Sequence, residues 1–539
     1  MNTSELLTIA VAIVPGRPAV IFDGRTITFE GLAERVNRLA NGLSEIGVGP
    51  GDRVAIMQVN TNQCIEAYFA AAQLDAIYVP INFRAKTGEL AQMLDIAQPS
   101  CLLIGERYLP LAGDCGLPQE RVIVLEDGND GNGGNDGKPG GGALSYEAIL
   151  AGASPEQSHF PEAGDEETTV IMFTAGTTGT PKGVMLTHNS FTSLLLATVE
   201  PADPDIEESN LITVPFYHIA GLQAALAAVY GGRTLVVLRQ FDPVGWMQLV
   251  QEHRANRAML VPTMLKHLME HPNFSDYDLS SLDVITYGAA PMPLAVIREA
   301  IARFPGARFI NAFGQTETAS TITMLPPDDH VLEGSPEEIE TKLKRLTSIG
   351  KPLDDVEVEI VDEAGAPVSV GETGEIVARG SRMMAGYWQQ EAATQETLKA
   401  GWIYTGDLGY EDQDGYIYLS GRAKDFIKRG GEMISPEEVE QVLRSHPDLD
   451  DAAVIGVPDV EWGEEVRAVV VGRADRVTEE QIIDFCRERL AGFKRPRSVV
   501  FVGELPRNVM GKVLKRDLRE EYGYPVENRN QVPPDRTGA

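Results

Sequence analysis

The chain has 539 residues, 43% hydrophobic and 23% charged, an ordinary balance for a soluble globular protein with room for roughly three or four domain-sized units. Its 46 basic and 79 acidic residues leave a net charge of −33, which works against general binding to nucleic acid or anionic membranes and is read as solubility. Cys64, Cys101, Cys115 and Cys486 form no CxxC pair, which points to a reducing compartment and argues against a structural zinc site. The apolar start over residues 6–14 is short, lacks a basic flank and meets Pro15-Gly16, so neither a signal peptide nor stable membrane insertion is expected and the protein is placed in the cytoplasm.

In chain order, residues 27–29 predict a short strand, and Leu32, Val36, Leu39, Ala40 and Leu43 then recur at helical spacing until Gly47 and Gly49-Pro50-Gly51 stop the helix. Residues 53–57, 76–81 and 100–104 read as buried strands, and the alternation argues for an α/β layer architecture. The Gly/Asn/Asp-rich stretch 127–142 cannot bury a core and predicts an exposed loop. Between the apolar runs 169–173 and 184–187 lies Thr174-Ala175-Gly176-Thr177-Thr178-Gly179-Thr180-Pro181-Lys182-Gly183. Glycines let backbone N–H groups approach an anion, threonine hydroxyls add donors, and Lys182 adds a positive charge, so this loop predicts a polyphosphate cradle. The P-loop of nucleotide-binding proteins differs, because its Gly-Lys-Ser/Thr opens directly into a helix. Here Lys182 follows Pro181 and a strand comes next.

Further βα units follow. Residues 234–238 and 259–261 predict strands, with Asp242 capping a helix that has Pro243 in its first turn. Residues 284–287 predict a strand ending at Gly288-Ala289-Ala290-Pro291, and residues 309–310 lead into Asn311-Ala312-Phe313-Gly314-Gln315-Thr316-Glu317. Ligands of doubly wound sheets bind at such carboxyl strand ends. Beyond residue 350 the texture turns β-rich, with short strands at 356–361, 375–378 and 416–419. From 421 a compact α+β unit follows, with a helix opening at Ser435-Pro436, strands at 453–457, 467–471 and 498–502, and an end near 523.

Six segments together resemble the adenylate-forming superfamily of acyl-CoA synthetases, luciferases and peptide-synthetase adenylation domains, over nearly the full length. They are the Thr/Gly loop, Val214-Pro215-Phe216-Tyr217-His218, Phe313-Gly314-Gln315-Thr316-Glu317, Tyr404-Thr405-Gly406-Asp407, Gly421-Arg422-Ala423-Lys424-Asp425 and Pro506-Arg507-Asn508-Val509-Met510-Gly511-Lys512. The resemblance is greatest to a fatty or aromatic acyl-CoA synthetase. It implies an α/β fold with a large N-terminal AMP-binding domain (1–421) of two doubly wound subdomains plus a small β subdomain (about 345–421). A hinge (422–424), a small mobile α+β C-terminal domain (425–525) and a flexible tail (526–539) would complete it.

The resemblance also implies roles. Thr174, Ala175, Gly176, Thr177, Thr178, Gly179 and Lys182 would hold the ATP phosphates; Gly288, Ala289, Ala290 and Phe313 the adenine; Asn311, Ala312 and Gly314 would also belong to the ATP/AMP site; Thr316 would hold the α-phosphate. Glu317 would bind Mg²⁺, since a carboxylate beside a phosphate makes sense with a hard cation between them. Asp407, placed in a loop, would accept the ribose hydroxyls, Arg422 would hold the ribose or phosphate, and His218 would gate the acyl pocket. Lys512 would bridge the acid carboxylate and the α-phosphate as the main catalytic residue, stabilising charge that shifts in the transition state. Lys424 would be the hinge, with Lys428, Gly430 and Gly431 meeting CoA. Ala175 and Phe313 stand where serine and tyrosine are frequent, keeping backbone and ring, so ATP binding is expected to persist.

The implied activity is ATP-dependent carboxylate:CoA ligation through an acyl-adenylate, with ATP and CoA as co-substrates, a fatty, alicyclic or aromatic acid as partner, and a homodimer as an open expectation. The alternative is a free-standing amino-acid adenylating enzyme, for which Asp242 superficially resembles an amino-group partner. Capping explains Asp242 better. Expected pocket walls are Tyr217, His218, Gly221, Leu222, Tyr287, Gly288, Asn311 and Ala312, mostly apolar.

Overall fold

The computed structural model describes residues 1–113, 117–126, 143–174, 180–422, 425–429, 432–460, 462–472, 476–508 and 511–523. The low-complexity stretch 127–142 and the tail 526–539 lie outside them.

Two large sheets organise the N-terminal part. The first runs in the order Gly386–Tyr387, Lys182–Thr187, Thr168–Thr174, Ile77–Ile81, Arg53–Met57, Cys101–Gly105, Val122–Leu125, Leu144–Ser145. Its central strands are parallel and nearly wholly buried, as apolar runs covered by helices on both faces must be. The second runs Lys351–Pro352, Ser320–Leu325, Arg308–Gln315, Val284–Gly288, Arg257–Leu260, Ser209–Ile212, Thr234–Val237, Pro18–Phe22, Arg25–Thr28. Its parallel middle brings the carboxyl ends of Arg257–Leu260, Val284–Gly288 and Arg308–Gln315 side by side. A smaller sheet follows, with Glu357–Val361, Gly374–Arg379, Trp402–Glu411 and Leu398–Lys399 in order and Ile417–Arg422 paired to Trp402–Glu411. The C-terminal unit has its own sheet, with Leu449–Asp459, Gly463–Gly472 and Ser498–Val502 against the helices Pro436–Arg444, Glu479–Arg487 and Lys515–Tyr522, and a separate core around Ile427, Val439, Val454, Val470 and Ile482. The α/β architecture expected from the sequence is the one observed.

Three local expectations change. Phe29 is the first residue of the helix Phe29–Glu45, because the Thr28 side chain accepts from Gly31 N–H and caps it, and the strand Arg25–Thr28 belongs to a hairpin with Pro18–Phe22. The strand seen at residues 309–310 runs on through Asn311 to Gln315 as Arg308–Gln315, then turns through Thr316–Thr318 and returns antiparallel as Ser320–Leu325. Asp407 likewise lies inside the ten-residue strand Trp402–Glu411, opposite Arg422. Its flanking glycines and low strand propensity suggest a turn, but pairing on both sides overrides them. Among the described residues, no helix is long and apolar enough to cross a membrane.

Candidate active site

The strands flanking the Thr/Gly loop pair antiparallel, Thr174 opposite Lys182. Residues 175–179, where most of the phosphate cradle is expected, lie outside the described residues. Lys182 opens the second strand, and its Nζ sits 4.6 Å from the ring centroid of Tyr387. The Tyr387 hydroxyl in turn donates to Glu317 Oε1 at 2.9 Å. Glu317 is buried, 9% exposed, in the short turn Thr316–Thr318. Burial, and then the Glu317 charge, raise the Tyr387 pKa well above its ordinary value, so the hydroxyl stays a donor.

Sequence reasoning passed over Tyr387 and Arg382. Arg382 is 0% exposed; Nε donates to Asp355 at 2.6 Å, Nη2 to Thr321 O at 2.6 Å and Nη1 to Thr318 O at 3.2 Å. It thus grips both sides of the bend after Glu317, where Ala319 and Ser320 have φ of 51° and 86°. Such left-handed conformations in non-glycine residues persist only where the surroundings hold them. The available cue is an arginine and a tyrosine in the otherwise apolar stretch 382–388, since both must find partners when buried.

The residues assigned to adenine line adjacent strand ends, Gly288 opposite Ala312. Glycine at 288 has a packing reason of its own, as a Cβ there would stand 2.1 Å from Ala312 O. Ala289 takes φ 63°, turning the chain out of the sheet towards Ala290. Asn311 donates to Ser348 O at 3.1 Å, while Phe313 and Gly314 lie half-buried on the same strand. Tyr287 is fully buried in the neighbouring core, and its hydroxyl meets His330 Nε2 at 2.9 Å. Thr405 O accepts from Gln315 Nε2 at 3.4 Å, tying the Thr316–Glu317 turn to the strand of Asp407. Arg422 Nε lies 2.7 Å from Asp407 Oδ1, and Nη2 donates to Oδ2 at 3.3 Å, so two distant motifs form one paired acceptor and cation.

His218 precedes the helix Ile219–Tyr230, its ring 4.4 Å from that of Tyr217. Among the described residues, His218 Nε2 and the Tyr217 hydroxyl are buried without a hydrogen-bond partner. Burial lowers the His218 pKa to about 4, so the ring is neutral near pH 7.

Lys512 is exposed, next to an isolated antiparallel bridge between Arg507 and Val513. Lys512 N–H donates to Asn508 Oδ1 at 2.9 Å, and the Arg507 guanidinium joins Gly511 O to Asp451. Gly511, with φ 72°, packs on Thr263 in the first turn of the helix Pro262–Glu270, directly after the strand Arg257–Leu260. The lysine turn of the C-terminal unit is thereby brought to the carboxyl edge of the second sheet. Lys428 lies on the strand Ile427–Arg429 with its N–H on Glu464, while Lys424, Gly430 and Gly431 fall outside the described residues. Asp242 caps the helix Pro243–His253, accepting from Gly245 N–H at 2.6 Å, which leaves the amino-acid alternative without its supporting residue.

Residues 7–388 match the family described as AMP-binding enzyme, and residues 438–512 match the AMP-binding enzyme C-terminal domain. The chain is 35% identical over 511 residues to a feruloyl-CoA synthase of an Amycolatopsis species, covering 94% of this chain and 96% of that one. To a long-chain-fatty-acid–CoA ligase of Mycobacterium tuberculosis it is 31% identical over 500 residues, covering 93% and 94%. The crystal structure of ATP-bound MatB from Rhodopseudomonas palustris superimposes with a TM-score of 0.84 at 29% identity, covering 97% of this chain and 99% of that one. The chain belongs to the AMP-binding enzyme family of adenylate-forming proteins.

Proposed function

We propose that this chain is an ATP-dependent carboxylate:CoA ligase, an AMP-forming acid–thiol ligase. A carboxylate oxygen of the acid attacks the α-phosphorus of ATP, the α–β bridging bond breaks, and pyrophosphate leaves. The CoA thiolate then attacks the acyl carbon and AMP departs. The observation that carries this reading is the seating of the Gly511-Lys512 turn on Thr263 beside the strand ends that carry the candidate nucleotide residues. Uniting two anions needs a cation that bridges them, and Lys512 is the residue assigned to it.

The remaining roles follow from chemistry and position. Residues 174–179 with Lys182 and Thr316 hold phosphates, Gly288 to Ala290 with Asn311 to Gly314 the adenine, and Asp407 with Arg422 the ribose. Among the described residues no three carboxylate, histidine or cysteine side chains gather. Glu317 would therefore hold Mg²⁺ together with ATP phosphates and water, an arrangement that suits this ion. When bound, Mg²⁺ neutralises phosphate charge. Domains 1–421 and 425–525 would turn about Lys424 to bring Lys428, Gly430 and Gly431 to CoA for the second half-reaction. The free, buried thiols of Cys64, Cys101 and Cys486 suit a reducing cytoplasm.

The acid is fatty, alicyclic or aromatic, consistent with the apolar surroundings of Tyr217 and Leu222 and with relatives named for an aromatic and a long-chain acid. CoA consumption across fatty, alicyclic, aromatic and amino acids tests the reading. Thioester formation with a carboxylic acid is expected; pyrophosphate release with an amino acid, and no thioester with any panel member, would overturn it.

A further inference from the structure

Lys182 and Glu317 carry opposite charges, and both approach Tyr387, yet no ion pair joins them among the described residues. A direct pair would consume the two charges that an ATP–metal complex requires. Tyr387 meets one with its ring face and the other with its hydroxyl. Donation from the phenol to a carboxylate makes the ring more electron-rich, which strengthens its hold on the ammonium, so the two contacts reinforce each other.

The backbone fixes the tyrosine in this position. Gly386–Tyr387 pairs antiparallel with Lys182–Thr187, Tyr387 opposite Val184, while Trp388 N–H donates to Gly183 O at 2.7 Å and Gln390 Nε2 to Pro181 O at 3.0 Å. On the other side, Met384 N–H donates to Glu317 O at 3.0 Å. The segment 384–390 is thus a strap between the exit of the phosphate loop and the acidic turn. Among the described residues no other side chain donates to the Glu317 carboxylate, so its Oε2 is left for a cation.

We propose that Tyr387 is a positioning residue that holds Lys182 and Glu317 apart and oriented, and so sets how tightly the metal–nucleotide complex is bound. This rests on the assignment of Glu317 to the metal. The test uses the full-length protein, measuring Mn²⁺ affinity by electron paramagnetic resonance with α,β-methylene-ATP present, alongside metal-free affinity for that analogue. Tyr387→Phe keeps the ring and loses only the hydroxyl. It is expected to weaken Mn²⁺ binding roughly 10-fold, the scale on which partners of ligating groups act, with metal-free nucleotide affinity changed less than about twofold. Tyr387→Leu, which also removes the ring, is expected to weaken both. Glu317→Gln is the reference. If it weakens Mn²⁺ binding while Tyr387→Phe does not, the role of Tyr387 is overturned; if Glu317→Gln itself has no effect, the metal assignment fails and the proposal falls with it.

Discussion

Gly511 lies so close to Thr263 that a Cβ on the glycine would stand 2.3 Å from the threonine Oγ1. The two residues are far apart in sequence, and their contact joins the C-terminal unit to the second sheet. Gly511→Ala therefore adds a clash to the strain of a side chain at φ 72°. Strain of this kind costs about 1–3 kcal/mol. Acid-dependent ATP–pyrophosphate exchange should fall roughly 10- to 100-fold, with CoA acylation from a supplied acyl-adenylate retained. Adding Thr263→Ala should recover part of the loss, because it removes the clash and leaves the strain.

Lys512→Ala should lower adenylate formation by about 100-fold or more, the scale for removing one preorganised charge from a transition state. Thioester formation from supplied acyl-adenylate should be nearly unchanged, and equal loss in both assays would remove the role. Lys424→Pro should show the opposite pattern, since a fixed φ at the proposed hinge would block the turn proposed for the second step.

Arg382→Met should destabilise the protein by about 3–5 kcal/mol, because Asp355 loses its buried partner and the carbonyls of Thr318 and Thr321 lose their donors. The midpoint of chemical denaturation reads this. An unchanged midpoint would show that the bend after Glu317 holds itself.

His188 and His330 are almost wholly buried, and burial lowers each pKa from 6.5 to about 4. Between these values the unfolded chain binds protons that the folded chain refuses. Stability from each is therefore present above about pH 6.5, falls as pH drops towards 4 and is flat below it, a loss on the order of 3 kcal/mol per histidine. Denaturation midpoints at pH 7, 5.5 and 4.5 should decline accordingly. His330→Gln should flatten its share of the slope.

The legible parts of this molecule are those where chemistry or burial marks single residues. Apolar runs such as 53–57 and 101–104 announce the buried parallel strands that are observed. Asp407 reads as a loop residue from its neighbours, and its pairing with Arg422 is not legible there, because the strand it lies in exists through pairing with segments on either side. Arg382 and Tyr387 escaped for a related reason. Their contacts are to carbonyls and a carboxylate supplied by turns far away in the chain, so nothing in their own neighbours advertises them.

The Arg507 guanidinium, clasped between Asp451 and the carbonyl of Gly511, gives the turn of Lys512 a foundation entirely within the C-terminal unit. On the proposed role of Lys512, its backbone would arrive with the C-terminal unit as a whole, at a place set by the angle of that unit. On that proposal, a ligand or partner that held the unit turned away would silence activation of the acid without touching the residues proposed to bind ATP.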